Sequence, residues 1–148
     1  MKLLITGDLH GRSDLLKKIL EKETDFTMHL NTGDLGIDIK TMEETKMIAV
    51  KGNNDYYFDL PTERIIEIDG LKILLTHGHL QNVKYGLQDL IDLAEQLKVD
   101  ICIFGHTHEP FYKKIHDITY INPGALSGYF EKSYVVLEKG KVSFIHVD

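Results

Sequence analysis

Short apolar runs alternate with polar turns along this chain, and the turns that follow the runs are rich in Asp, Asn, His and Gly. Lys2 to Thr6 is an apolar run that predicts a buried strand, followed by a turn carrying Asp8, His10 and Gly11. Ser13 suits the N-cap of a helix from Asp14 to Lys22, because Leu15, Leu16, Ile19 and Leu20 fall on one face. Phe26 to Leu30 predicts a second strand running into Asn31-Thr32-Gly33-Asp34. A short helix is expected over Thr41 to Thr45. Met47 to Val50 predicts a third strand, ending at Gly52-Asn53-Asn54-Asp55. Strand, turn, helix and strand in alternation point to a parallel or mixed α/β sheet.

The second half repeats the pattern. Arg64 to Ile68 and Lys72 to Thr76 flank Asp69-Gly70, a two-residue hairpin signal, and the second strand ends at His77-Gly78-His79. Leu87, Leu90, Ile91, Ala94 and Leu97 mark an amphipathic helix from Val83 to Lys98. Asp100 to Phe104 is another apolar strand and runs into Gly105-His106-Thr107-His108. Antiparallel strands are expected over Phe111 to Ile115, Thr119 to Ile121, Tyr134 to Glu138 and Val142 to Val147, with Lys139-Gly140 turning the last pair. The chain shows no internal repeat, low-complexity segment or linker, so a single domain over residues 1–148 is expected.

Composition narrows the function classes. The chain carries 17 Lys+Arg against 23 Asp+Glu, a formal net charge of −6, which argues against nucleic acid as a structural partner. An anionic small substrate stays open, because bound divalent cations reverse the local field of an acidic site. The single cysteine, Cys102, sits in the apolar run Ile101-Cys102-Ile103-Phe104 and reads as a buried, inert thiol. Absence of disulfides fits a reducing compartment. The apolar stretch Leu3 to Ile5 reaches Asp8 too soon for a signal peptide, and no run approaches the roughly 18 apolar residues that span a bilayer. A cytoplasmic protein without membrane contact is expected; a homo-oligomer is left open.

Five motifs carry the chemistry: Asp8-Leu9-His10, Gly33-Asp34, Gly52-Asn53, His77-Gly78-His79 and Gly105-His106-Thr107-His108. Each of the first three reads on its own as a solvated turn, since Asn, Asp and Gly tolerate left-handed backbone. The histidines change that balance. Of eight in the chain, four lie at 77–79 and 106–108, immediately after apolar strands. Imidazoles and carboxylates gathered at strand ends need partners, and metal ions satisfy both. Loops at the carboxyl ends of strands are also where α/β folds place ligands. His29, His116 and His146 match no motif and read as surface or packing residues.

Asp-x-His, Gly-Asp, Gly-Asn, His-Gly and Gly-His-x-His in this order resemble the calcineurin-like metallophosphoesterases. The small size, with no cap domain, and Asn122-Pro123-Gly124 after the last motif are similar to the compact prokaryotic phosphodiesterase branch. The resemblance implies a four-layer αββα sandwich, two mixed β-sheets flanked by helices, with metals at the strand ends between the sheets. It implies that Asp8, His10 and His108 hold one divalent ion, that Asn53, His77 and His106 hold the other, and that Asp34 bridges the pair. A donor set of nitrogen and oxygen without thiolate suits Mn, Fe, Ni, Co or Zn, and Mn is taken first. The implied reaction is in-line hydrolysis of small phosphodiesters by a metal-bridging hydroxide, with no Ser or Cys nucleophile; Asp34 and Asn53 serve catalysis through the ions.

Two departures from the family pattern matter. Where many relatives have a histidine after the motif asparagine, as proton donor to the leaving group, this chain has Asn54, expected at the substrate. His79 is the candidate to take over proton donation or to contact substrate. Ala125 stands where relatives often have serine after Pro-Gly, which is expected to alter a turn rather than the chemistry. Phosphomonoester hydrolysis is one alternative. Another is a non-catalytic interaction module like the retromer subunit of the same fold, with exposed Tyr56, Tyr57 and Phe58 as a partner patch or substrate wall. A metallo-β-lactamase-like site starting at His77-x-His79 fails because Gln81-Asn82 follow where Asp-His is needed.

Overall fold

Alternate residues of the first strand, β1 (Lys2–Thr6), face two different cores, and this alternation sets the layers of the fold. Leu3 and Ile5 pack with Ile73, Leu75, Ile101, Ile103 and Ile121, all from a second sheet. Leu4 packs instead with Leu15, Leu16 and Ile19 of helix α1 (Ser13–Lys22). The computed structural model that shows this describes residues 1–56 and 59–148.

The first sheet runs β10-β9-β1-β2-β3, with β2 at Met28–Asn31, β3 at Ile48–Ala49, β9 at Ser133–Glu138 and β10 at Lys141–His146. Strands β1, β2 and β3 are parallel, while β9 and β10 join antiparallel. The second sheet runs β4-β5-β6-β8-β7, with β4 at Glu63–Ile68, β5 at Leu71–Thr76, β6 at Ile101–Ile103, β7 at Phe111–Ile115 and β8 at Ile118–Asn122. Strands β5, β6 and β8 are parallel and the edges antiparallel. Its outer face, with Leu74, Cys102 and Tyr120, receives Leu90 and Ala94 of helix α3 (Gln88–Leu97). Helix, sheet, sheet and helix are the four expected layers. A fully buried Leu or Ile contributes about 1.5–3 kcal/mol, so the eleven buried residues between the sheets make a rigid frame for the loops at its edge.

Local chemistry explains where the observed elements depart from expectation. Ser13 is not the cap of α1: it lies in the first turn, the cap position falls on Arg12 without a side-chain bond, and the Arg12 guanidinium instead holds Asp14 at 3.0 and 3.1 Å. Helix α2 (Ile39–Thr45) starts earlier than expected because the Asp38 carboxylate accepts the Thr41 N–H at 2.8 Å. The expected helix from Val83 to Lys98 is broken. His79–Gln81 and Val83–Tyr85 form two 3-10 turns, and Gly86, at φ 133° and ψ 167°, separates them from α3. That backbone conformation belongs to glycine alone, and no helix continues through it. The Asp69-Gly70 hairpin has φ of 50° and 77°, the signature of the expected tight turn.

Candidate metal centre

The parallel strands of both sheets end at one edge of the sandwich, and the five motif loops emerge there. Two bonds across the sheets draw the loops together. The Asp8 Oδ2 accepts the His106 backbone N–H at 3.1 Å, and His77 Nδ1 lies 2.8 Å from the Thr32 carbonyl. A carbonyl only accepts, so Nδ1 of His77 carries a proton and donates to it, and Nε2 faces the site.

Asp8 is fully buried, yet its Oδ1 has no hydrogen-bond partner. Three imidazole nitrogens surround that oxygen: Nε2 of His108 at 3.5 Å, of His77 at 3.8 Å and of His10 at 3.9 Å. These separations are too long for hydrogen bonds. They match donors arranged around an ion, since ligand atoms at about 2.0–2.2 Å from a common ion stand roughly 3.3 Å or more from one another. An orphaned, buried carboxylate oxygen among imidazoles is what a cation resolves.

Two groups of donors result. Asp8, His10 and His108 have ligand atoms within 4.8 Å of one another, and so do Asp34, His77 and His106. Asp34 stands between them, its Oδ2 at 3.4 Å from His10 Nε2 and 3.3 Å from His77 Nε2. The facing nitrogens of His77 and His106 are 3.1 Å apart. Burial pushes the Asp34 pKa up, but His77 and the Asn54 donors outweigh it and hold the carboxyl well below its ordinary range. Burial lowers His77, and contact with Asp34 plus the charges of Asp8 and Asp34 more than reverse this. His106 falls to about 4, through burial first and then the positive charges of His77 and Lys84.

The calcineurin-like phosphoesterase superfamily domain matches residues 1–141. The chain belongs to this superfamily. A phosphodiesterase of Methanocaldococcus jannaschii is 33% identical over 154 aligned positions, covering 87% of this chain and 86% of the relative. Among solved structures, a conserved protein of Streptococcus pneumoniae, termed a predicted phosphoesterase, superposes with TM-score 0.87 at 27% identity over 98% of this chain and 88% of that one. Vps29 of Entamoeba histolytica, in complex with Zn2+, superposes with TM-score 0.76 at 27% identity over 100% of this chain and 99% of its own. The protein is thus a metal-dependent phosphoesterase, and the two donor groups are its candidate metal sites.

The remaining motif residues of this metallophosphoesterase take distinct places. Asn53 is exposed in a turn between Asn54, which bonds to Asp34, and Gly52, where any Cβ would meet the Asp34 carboxylate. Asn54 donates to Asp34 twice, from its backbone N–H to Oδ1 at 2.9 Å and from Nδ2 to Oδ2 at 3.1 Å. His79 is half-buried, with its ring 5.3 Å from that of His77 and 6.1 Å from that of His106, and its Nδ1 is unpartnered. Burial, then the charge of His77, lowers its pKa. His29 is a buried packing residue bonded to Thr6 Oγ1 at 2.7 Å, whereas His116 and His146 are surface residues. Tyr56 is exposed; Tyr57 and Phe58 lie outside the described residues.

Two features of the site were not visible in the motifs. Asp55, at the end of the turn after β3, is buried and accepts the backbone N–H of Asp34, Leu35 and Gly52. Its sole sequence signal is an aspartate following Gly-Asn-Asn, an ordinary turn composition. The second is backbone strain: Asp8, His10, Asp34, His106 and His108 all have φ between 42° and 71°, where non-glycine residues are uncommon. Five of seven candidate ligands share this conformation, so the frame holds the donors in place at a cost of order 1 kcal/mol or more each.

Proposed function

We propose that this protein is a binuclear metal-dependent phosphodiesterase acting on small phosphodiesters. In this reading Asp8, His10 and His108 hold one ion, Asn53, His77 and His106 hold the second, and Asp34 bridges them. The observation that carries it is the position of Asp34 Oδ2, within 3.4 Å of one imidazole from each donor group, beside the orphaned Oδ1 of Asp8. Paired divalent ions, when bound, polarise the phosphoryl oxygens and lower the pKa of water to near neutrality.

The chain's own residues supply the rest. Asp8 and Asp34 offset the charge of the ions, and the Nδ1–H bond from His77 to Thr32 fixes a donor ring before any ion arrives. Asn54, through its two bonds to Asp34, orients the bridging carboxylate at the edge where substrate enters. His79, with an unpartnered nitrogen beside His77 and His106, is assigned to the substrate, where it donates a proton or hydrogen bond to the leaving oxygen. Manganese is the proposed ion, residues 1–148 the proposed single domain, and a reducing cytoplasm the proposed location, supported by the one buried thiol, Cys102.

The diester preference draws on the likeness to the Methanocaldococcus phosphodiesterase, and monoesterase activity is the competing outcome. The likeness to Vps29 raises a non-catalytic reading, which the ligating residue types at all seven positions disfavour. Hydrolysis of a bis-aryl phosphodiester and of the matching monoester, with Mn, Ni, Co or Zn added and bound metal measured, tests all three. Two ions per chain without hydrolysis of either ester would refute the enzymatic reading.

A further inference from the structure

The loop that delivers His106 and His108 is held by one buried asparagine. Asn122 is the last residue of β8 and is fully buried. Its Oδ1 accepts the Gly124 N–H at 3.0 Å, while its Nδ2 donates to the Gly105 carbonyl at 3.3 Å and to Thr107 Oγ1 at 3.0 Å. An amide N–H only donates and a carbonyl only accepts, so these contacts fix which way the carboxamide faces. The turn behind it is tight. Gly124 has φ of 81°, and a Cβ there would run into Ser133 Oγ and stand 3.1 Å from the Pro110 ring. The Ser133 hydroxyl donates to the Pro123 carbonyl at 2.8 Å. Asn122 therefore meets the loop from a fixed base.

Its bonds reach candidate ligands through the backbone. The Gly105 carbonyl belongs to the same peptide group as the His106 N–H, which donates to Asp8 Oδ2 at 3.1 Å. One planar peptide thus joins Asn122 to the Asp8 carboxylate. Thr107 separates the two histidines, and both of these have left-handed backbone, at φ of 71° and 65°. Such residues keep that conformation only where surrounding contacts over-determine it. Asn122 supplies two of those contacts. A second buried asparagine, Asn31 at the end of β2, repeats the device: its Oδ1 accepts the Gly33 N–H at 2.8 Å and its Nδ2 donates to Thr6 Oγ1 at 2.8 Å. Asn31 serves the Asp34 loop, whereas Asn122 serves a loop with one member of each donor group. We propose, resting on the two-metal reading of the site, that Asn122 is a positioning residue for both ions. Through Gly105 and Thr107 it sets the placement of His106, His108 and Asp8.

The test titrates manganese, by calorimetry, into metal-free wild type, Asn122→Leu, Thr107→Val, the double variant and Ile118→Val. Ile118 lies on β8 and packs toward α3, so its truncation weakens the strand without touching the loop. Asn122→Leu is expected to weaken manganese binding about tenfold or more at both sites, the range for losing a group that orients ligands. Thr107→Val is expected to lose less, and the double variant no more than Asn122→Leu, because the two changes break one connection. Ile118→Val is expected to lower the thermal midpoint of the metal-free protein and to bind manganese as wild type does. Binding within about twofold of wild type in Asn122→Leu, or an equal loss in Ile118→Val, would overturn the role of Asn122 alone. If Asn122→Leu does not fold, Thr107→Val decides by the same measure, and unchanged binding there would overturn it. A wild type that takes up fewer than two ions would overturn the reading of the site, and Asn122 with it.

Discussion

The carboxylate of Asp55 accepts the backbone N–H of Asp34 at 2.7 Å, so the turn after β3 holds in place the residue that stands between the two donor groups. Two more bonds, from Leu35 at 2.8 Å and Gly52 at 2.7 Å, complete this clamp. Asp34 is gripped from both ends, its amide by Asp55 and its carboxylate by Asn54. Asp55→Ala leaves three buried N–H groups without partners and is expected to cost about 3 kcal/mol or more. Asp55→Asn keeps one acceptor and is expected to lose less. Urea unfolding measures both, and metal content after dialysis should fall in the same order; unchanged stability in Asp55→Ala would show that the clamp is dispensable.

Asp34→Asn is expected to reduce turnover by about three orders of magnitude or more, because a single carboxylate serves both proposed sites. Metal content should drop below one ion per chain. His10→Ala, which removes a member of only one donor group, should retain an ion in the other. Steady-state hydrolysis and metal analysis on the same preparations check this, and wild-type turnover in Asp34→Asn contradicts the bridging role.

Gly33 has φ of 103°, and a Cβ there would come within 2.8 Å of the Gly52 nitrogen and 2.9 Å of the Val50 carbonyl oxygen. Backbone cannot yield as a side chain end can, so Gly33→Ala pushes the Asp34 loop away from the turn after β3. A loss of roughly 2–4 kcal/mol is expected, combining left-handed strain with the overlap. Thermal unfolding of Gly33→Ala against Gly70→Ala, where nothing lies within 4 Å, separates the two contributions. Equal losses in both would remove the close contact from the account.

Burial lowers the His29 pKa to about 3, and its Nδ1 has no partner. The folded state therefore keeps this ring neutral while the unfolded chain protonates it near pH 6.5. No stability is lost above that value. Below it the unfolded state binds one proton more, so stability falls by about 1.4 kcal/mol per pH unit until the folded ring titrates. Between pH 7.5 and pH 5, wild type is expected to lose about 2 kcal/mol more than His29→Leu in urea unfolding. Parallel pH profiles for the two proteins would contradict the assignment.

The four layers were legible because apolar runs of three to six residues, each ending in a ligand-type turn, leave little choice but strands delivering loops to one edge. The order of strands was not: nothing local tells β9 to pair with β1, since the register joins residues such as Leu3 and Leu137 from opposite ends of the chain. The break at Gly86 was hidden because Val83, Leu87 and Leu90 keep a helical spacing, although Val83 is buried against Gly78 rather than along α3. Asp8, His10 and His108 fall in one donor group and Asp34, His77 and His106 in another, while Asn53 is exposed in its turn. Asp55 escaped notice because its partners are backbone amides up to 21 residues away, and amides leave no residue-type signature.

Anomalous diffraction from crystals grown with manganese tests the central claim most directly. Two peaks about 3.5–4 Å apart, one among Asp8, His10 and His108 and the other beside His77 and His106, with Asp34 touching both, is the predicted result. A single peak, or two peaks that do not share Asp34, would contradict it.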